Sequence, residues 1–83
     1  MGRTMNYLNR IKSARTTAEK QDATRDFIAR DYRKPLDADT ARMLEAIVPR
    51  VANCADYVTD ESALEIIANG MRNCYYDGML AAL

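Results

Sequence analysis

The hydrophobic positions of this sequence are most regular between residues 40 and 58. One stripe recurs three or four positions apart and comprises Ala41, Leu44, Val48, Val51, Ala55 and Val58. A second stripe beside it comprises Met43, Ile47, Cys54 and Tyr57. This spacing predicts an α-helix with an apolar arc so wide that the helix needs neighbours on two sides. We therefore take this central helix as the element around which the fold is organised.

Pro49 lies inside the predicted central helix. Because proline has no backbone N–H, the hydrogen bond to the carbonyl of Glu45 is lost there. The apolar stripe stays in phase on both sides of Pro49, which favours a bend over the alternative that the helix stops. Asp37 or Asp39 is expected to cap the start of the helix.

The segment before Pro35 predicts a first helix that is either long or broken. Its apolar positions are Met5, Leu8, Ile11, Ala23, Phe27, Ile28 and Tyr32. The pattern thins between residues 15 and 22, where Thr16 and Glu19 have the spacing of a capping box and allow a restart. Since no Gly or Pro falls between residues 13 and 21, one long helix or two nearly collinear helices are favoured over a sharp corner.

A third helix is predicted from Thr59 onward, where a capping residue precedes acidic residues. Its apolar positions are Leu64, Ile67, Met71 and Cys74 or Tyr75. Gly78 is expected to end or fray this helix. The tail from Met79 to Leu83 is too apolar to remain in water, so it is expected to fold back on the core or to meet a partner.

Composition agrees with a helical domain. The chain has 83 residues, of which 48% are hydrophobic, with three glycines and two prolines. This length gives one domain, residues 1–83, with a core near the lower limit for independent folding. We predict an all-α bundle of three helices, and because pairing enlarges a small core, we expect a homodimer.

Charge is divided along the chain although the net charge is zero. Residues 1–36 hold nine Lys and Arg against four acidic residues, whereas residues 37–83 hold three against eight. One interpretation is a basic face that binds an acidic partner, and the other is attraction between the two halves within the fold or across a dimer. The sequence leaves both interpretations open.

Catalytic and metal-binding motifs are missing from the sequence. The chain has no histidine, which removes the commonest general base and every zinc site that uses one. It has no glycine-rich phosphate loop, so we expect no enzymatic activity, cofactor or metal. In a helical hairpin Cys54 and Cys74 are offset by roughly 13 Å along the axis, too far for a disulfide, and both are predicted to be packing thiols.

Two groups of residues are candidates for contact with a partner. The first is basic and comprises Arg10, Arg15 and Arg25, and the second lies near the C-terminus and comprises Tyr75, Tyr76, Met79 and Leu83. Tyrosine, methionine and arginine are frequent at buried interface centres, although both tyrosines could equally cover a small core. The basic group also permits a nucleic-acid-binding regulator as an alternative function.

The general layout resembles the small helical proteins that phages make to disable a host protein, including anti-quorum-sensing, anti-pilus-motor and anti-CRISPR proteins. The shared features are a single His-free helical domain, divided charge, an apolar tail and a basic N-terminal segment, MNYLNRIKSARTTAEKQDATRDFIARDYRKP. This resemblance implies inhibition by binding to a larger host protein, with a structural or assembly subunit as a further alternative. No targeting or membrane-spanning segment is visible, so a cytoplasmic location is expected.

Overall fold

Four α-helices make up the part of the chain that the structure describes. The computed structural model describes the backbone of residues 6–30, 32 and 36–81, and the side chains within these ranges up to residue 75. The helices are α1 Tyr7–Ser13, α2 Thr17–Ala29, α3 Ala38–Ala55 and α4 Glu61–Ala81. No strand occurs within these residues, so the all-α prediction is confirmed. The count is four rather than three because the first predicted helix is broken.

The break lies between α1 and α2, and the chain turns sharply there. The Thr16 hydroxyl accepts a hydrogen bond from the Glu19 N–H at 3.1 Å, and the Glu19 carboxylate accepts one from the Arg15 N–H at 3.2 Å. Arg10 forms an ion pair with Asp26 at 3.1 Å. In collinear helices these two residues would be about 24 Å apart. The expectation of one long helix or two collinear helices is therefore wrong, because a capping box is enough to start a helix in a new direction.

The central helix α3 packs against both α2 and α4, as the wide apolar arc predicted. Its buried residues are Leu44, Ile47, Val48, Val51, Ala52 and Ala55. The second predicted stripe is shorter than expected, since Tyr57 is 88% exposed. The reason is that α3 ends at Ala55, so Tyr57 belongs to the following turn rather than to the apolar face.

The start and the middle of α3 agree with the sequence pattern. Asp37 is the N-cap, and its carboxylate accepts a hydrogen bond from the Thr40 N–H at 2.7 Å. Pro49 lies within the helix, which continues to Ala55. The alternative that the helix stops at Pro49 is therefore excluded.

The core is formed by all four helices. Its largest fully buried side chains are Phe27, Ile11, Ile28, Leu64, Val48, Val51 and Thr24. The buried hydroxyl of Thr24 donates to the Lys20 carbonyl of the same helix at 2.7 Å, so this polar group has a partner within α2. The backbone N–H of Leu8 in α1 donates to the Glu61 carboxylate in α4 at 3.1 Å, which joins the first helix to the fourth.

Arginine side chains hold the end of α2. Arg30 donates to the Phe27 carbonyl at 2.7 Å, and Arg72 of α4 donates to the Ile28 carbonyl at 3.2 Å. The last carbonyls of a helix have no partner within the helix, so these cations satisfy groups that would otherwise need water. The Arg72 guanidinium also lies 5.6 Å from the centre of the Tyr32 ring.

Ion pairs join the basic and the acidic halves of the chain. Lys20 pairs with Asp56 at 2.6 Å, Arg25 with Glu45 at 2.5 Å and Arg30 with Glu65 at 2.9 Å. Each pair links α2, or the residue that follows it, to α3, α4 or the turn between them. The interpretation that the two halves attract each other within the fold is therefore supported by three contacts.

The fourth helix is longer than predicted. It continues from Glu61 past Gly78 to Ala81, so the expectation that Gly78 ends it is wrong. A glycine inside a helix lowers the stability of the helix but does not by itself end it. Leu83 lies outside the described residues.

The two cysteines are free thiols in different surroundings. Cys54 of α3 is partly buried and packs against the core, as predicted. Cys74 of α4 is exposed, so the prediction of a packing thiol is wrong for this residue. It lies outside the stripe formed by Leu64 and Ala68, which are the buried residues among the described side chains of α4.

Candidate functional site

A helical hairpin made of α3 and α4 provides the main surface feature. At the end of α3 the Tyr57 N–H donates to the Cys54 carbonyl at 3.0 Å. The Asp60 carboxylate then accepts a hydrogen bond from the Ser62 N–H at 3.0 Å, at the start of α4. Because only residues 56–60 connect the two helices, α4 runs back along α3 and leaves a groove between them.

This groove has a volume of about 580 Å³, within the range of ligand-binding pockets in proteins. Its lining residues are Ala46, Ile47, Arg50, Ile67, Gly70, Met71, Cys74 and Tyr75. Most of them are apolar, and Arg50 is the one charged residue among the described lining side chains. We call this surface the α3–α4 groove.

Large exposed hydrophobic side chains occur on the same hairpin. Within the described side chains they are Tyr57, Ile66 and Tyr75, with exposed fractions of 88%, 72% and 38%. Ile66 immediately precedes the lining residue Ile67, and Tyr75 lines the groove itself. Exposed apolar side chains next to an apolar groove are typical of an interaction surface.

Gly70 forms an open part of the groove wall. A Cβ atom placed on Gly70 would have no neighbouring atom within 4 Å, so no side chain of the described structure fills this space. Glycine in an exposed helix costs about 1 kcal/mol relative to alanine. At this position it allows the backbone of a ligand to approach α4 closely.

Arg50 is electrostatically distinct from the other cations of α2 and α3. Arg25 and Lys20 form ion pairs with carboxylates of other elements, and Arg42 is paired with Asp39. Arg50 is exposed and makes no ion pair with any residue that the structure describes. The groove thus combines an apolar lining with one guanidinium whose donors are available to an anion.

The basic candidate residues lie on the other helices, and none of them lines the groove. Arg10 is held by Asp26 and lies 5.9 Å from the centre of the Tyr7 ring. Arg15 is exposed in the connection between α1 and α2. Arg25 contacts Glu45, and it also contacts Asp22 at 2.6 Å.

The pair formed by Arg25 and Glu45 shifts both pKa values. The Glu45 carboxylate accepts hydrogen bonds from the Arg25 guanidinium at 2.5 and 3.0 Å, which lowers the pKa of Glu45. The same hydrogen bonds raise the pKa of Arg25. Both groups are therefore fully charged at neutral pH, and the Arg25 charge is paired with a carboxylate of the same molecule.

The candidate residues of the C-terminal group are described only in part. Tyr75 is exposed and lines the α3–α4 groove, and its role as a contact residue stays a prediction. Tyr76 and Met79 lie within α4, but their side chains fall outside the described part of the structure. Leu83 also lies outside it.

Sequence analysis did not single out Arg50, Ile66 and Gly70 as members of a site. The signal for Ile66 was its adjacency to Ile67, because two neighbouring residues of one helix point about 100° apart and cannot both face one narrow core stripe. The role of Arg50 could not be predicted from the sequence, because whether it has a carboxylate partner depends on how distant helices pack.

Searches for other site types and for relatives give negative findings. Among the described residues no group of three or more His, Cys, Asp and Glu side chains could hold a metal ion. No helix in the same part of the chain has the length and hydrophobicity needed to cross a membrane. Neither a protein-family model, nor a curated protein, nor a solved structure matches this chain.

Proposed function

We propose that this protein is a non-enzymatic binding protein that inhibits or modulates a larger host protein by covering part of its surface. The observation that carries the proposal is the α3–α4 groove, with Ile66 and Tyr75 exposed beside or within it. Leaving such side chains in water lowers solubility and adds nothing to the core, whereas burial against a partner stabilises a complex. The resemblance in layout to small phage inhibitors supports the same class of function.

The test is a comparison of three forms of the protein as bait in lysate of the native host. Ile66→Asp places a charge on the exposed apolar surface, and Ala18→Asp places the same charge on the exposed surface of α2. We expect the wild type and Ala18→Asp to retain one stoichiometric protein and Ile66→Asp to lose it, with unchanged circular dichroism. Recovery of no stoichiometric protein by the wild type would reject the proposal.

A nucleic-acid-binding regulator is the alternative function. Phosphate binding would use Arg10, Arg15 and Arg25, but Arg10 and Arg25 are already held by carboxylates of the same molecule. A phosphate would have to compete with these ion pairs, which makes the alternative weaker than protein binding. No gel shift with DNA or RNA at low salt would remove it.

A homodimer and a cytoplasmic location are part of the proposal. The argument for a dimer is the small size of the core, which pairing would enlarge. A dimer would also serve the further alternative of a structural or assembly subunit. The location is proposed because free thiols such as Cys54 and Cys74 persist in a reducing compartment.

A further inference from the structure

We infer that the α3–α4 groove binds an amphipathic α-helix of the partner protein, and that this helix carries a carboxylate that pairs with Arg50. The inference rests on the proposed function, because it names the part of a partner protein that would bind. It is argued from three properties of the groove: its helical walls, its charge and its open wall at Gly70.

The walls of the groove favour a helix over an extended peptide. Both walls are α-helices, whose internal backbone N–H and C=O groups are bonded within each helix apart from the Glu45 carbonyl, which Pro49 leaves without its N–H donor. An extended peptide would find no strand edge there and would bury its own backbone groups without partners. A helical ligand satisfies its backbone internally and binds through its side chains, which is how amphipathic helices occupy hydrophobic grooves.

Gly70 gives such a helix room to approach. The space where a Cβ atom would lie has no neighbouring atom within 4 Å. Apolar side chains of the ligand would contact Ile67 and Met71 on either side of this gap. Tyr75, which is 38% exposed, would become buried at one end of the groove.

Arg50 specifies the charge of the ligand. It is the charged residue of the lining, and it makes no ion pair within the described structure. Next to an apolar surface, a guanidinium that is desolvated without an anion opposes binding, whereas a carboxylate placed on it forms two charge-assisted hydrogen bonds. The ligand helix therefore carries Asp or Glu beside its apolar face.

The same charge argues against a second copy of this chain as the occupant. In a two-fold dimer both molecules would present the same groove to each other. The described lining holds Arg50 but no carboxylate, so two guanidinium groups would share one apolar interface without a counter-charge. A helix from a different protein avoids this repulsion.

The test uses two synthetic 18-residue helical peptides as probes. Both have leucines at positions i, i+4, i+7 and i+11, and they differ in carrying either glutamate or lysine beside the leucine stripe. Binding is measured by fluorescence anisotropy and located by amide chemical shifts. We expect the glutamate peptide to bind at least about tenfold more tightly than the lysine peptide, with shifts at Ile67 and Gly70.

Variants of Arg50 test whether this residue determines the preference for the glutamate peptide over the lysine peptide. Arg50→Glu should reverse the preference between the two peptides, and Arg50→Gln should abolish it. Arg15→Glu, which changes an exposed arginine far along the chain, should leave it intact. The inference is overturned by equal binding of both peptides, by absence of binding at millimolar concentration, or by a preference that Arg50→Glu does not change.

Two further outcomes separate this inference from the proposed function. If the host protein is captured with the wild type but the glutamate peptide does not bind, the function stands and the inference fails. If Ile66→Asp converts a dimer into a monomer in light scattering, the groove is occupied by a second copy and the inference is also overturned. If no host protein is captured but the glutamate peptide binds as expected, the proposed function is rejected and the inference about the groove stands.

Discussion

Thr16 determines where the first helical segment changes direction. Its hydroxyl accepts the Glu19 N–H, and Glu19 returns a hydrogen bond to the backbone of Arg15. These contacts satisfy two donors at the start of α2 that the chain would otherwise direct to water. The corner then allows Tyr7 of α1 to contact Phe27 of α2, with their ring centres 5.8 Å apart.

Thr16→Ala is expected to lower the free energy of unfolding by about 1 kcal/mol, because the N-cap acceptor is lost. The measurement is urea unfolding followed by circular dichroism. Thr17→Ala is the matched control, since Thr17 is also exposed but begins the helix without acting as its cap. Equal stability of the two variants would show that the corner does not depend on this cap.

Acid should destabilise the protein through carboxylates such as Glu45 and Asp37. Hydrogen bonds from Arg25 lower the pKa of Glu45, and those from the Thr40 backbone and side chain lower the pKa of Asp37. A carboxylate with a lowered folded pKa adds stability above its ordinary value and loses it as pH falls through the folded value. The free energy of unfolding should therefore be level above the ordinary pKa of Glu45, 4.5, and fall below it.

Glu45→Gln tests the contribution of this pair. The variant should be less stable than the wild type at neutral pH and should lose less stability on acidification, as measured by urea unfolding at a series of pH values. Both members are partly exposed, so the difference should be less than about 1 kcal/mol. An acid-induced loss as large as that of the wild type would contradict this assignment.

At the scale of elements, α3 could be predicted from the sequence, whereas the geometry of α1 and α2 could not. Because α3 is buried on two sides, its apolar residues recur at helical spacing over a wide arc. This pattern is visible in the sequence and was enough to predict the helix. The corner at Thr16 leaves a weaker trace, because a capping box is compatible with both a restart and a change of direction. Within the site, the adjacent tyrosines indicated that one of them is exposed, as Tyr75 is, but the exposure of Ile66 depends on where α4 lies.

Val51→Asp should unfold the protein, because it places a charge at a side chain with 0% exposure. An unpaired buried charge costs at least about 3 kcal/mol, which approaches the whole stability of a domain of this size. Asn53→Asp puts the same charge on the exposed side of α3 and serves as the control. A folded Val51→Asp variant, judged by circular dichroism and heat denaturation, would show that α3 is not the organising element.

Pro49→Ala should stabilise α3 by about 1 to 3 kcal/mol, because alanine restores the hydrogen bond to the Glu45 carbonyl and favours the helix. Pro49 is exposed, so the substitution removes no core contact. We also expect α3 to be bent at this residue, and residual dipolar couplings of the two variants would measure the bend. A loss of stability in Pro49→Ala would indicate that α2 and α4 pack on the bent form.

At the scale of the whole molecule, ion pairs join the first half of the chain to the second half. Cations of the first half of the chain face carboxylates of the second half in pairs such as Lys20 with Asp56 and Arg30 with Glu65. Surface pairs of this kind contribute about 0 to 1 kcal/mol each, so they orient the helices more than they stabilise them. The exposed apolar side chains lie on the α3–α4 hairpin, and two of them adjoin members of these pairs in sequence: Tyr57 follows Asp56, and Ile66 follows Glu65.

If the protein forms the proposed homodimer, light scattering at micromolar concentration should give twice the mass of one chain. Because we assign the groove to a different protein, Ile66→Asp should leave this mass unchanged. A monomer mass for the wild type would reject the dimer.

The hydrogen bond between the Leu8 N–H and the Glu61 carboxylate spans 53 residues of sequence. During synthesis α1 is made before α4, but one acceptor for its N-terminus belongs to the first turn of α4. Until Glu61 has been translated and α4 has begun, the nascent α1 has Asn6 as its side-chain cap among the described residues. The helix α1 is therefore expected to become stable only after α4 has been made.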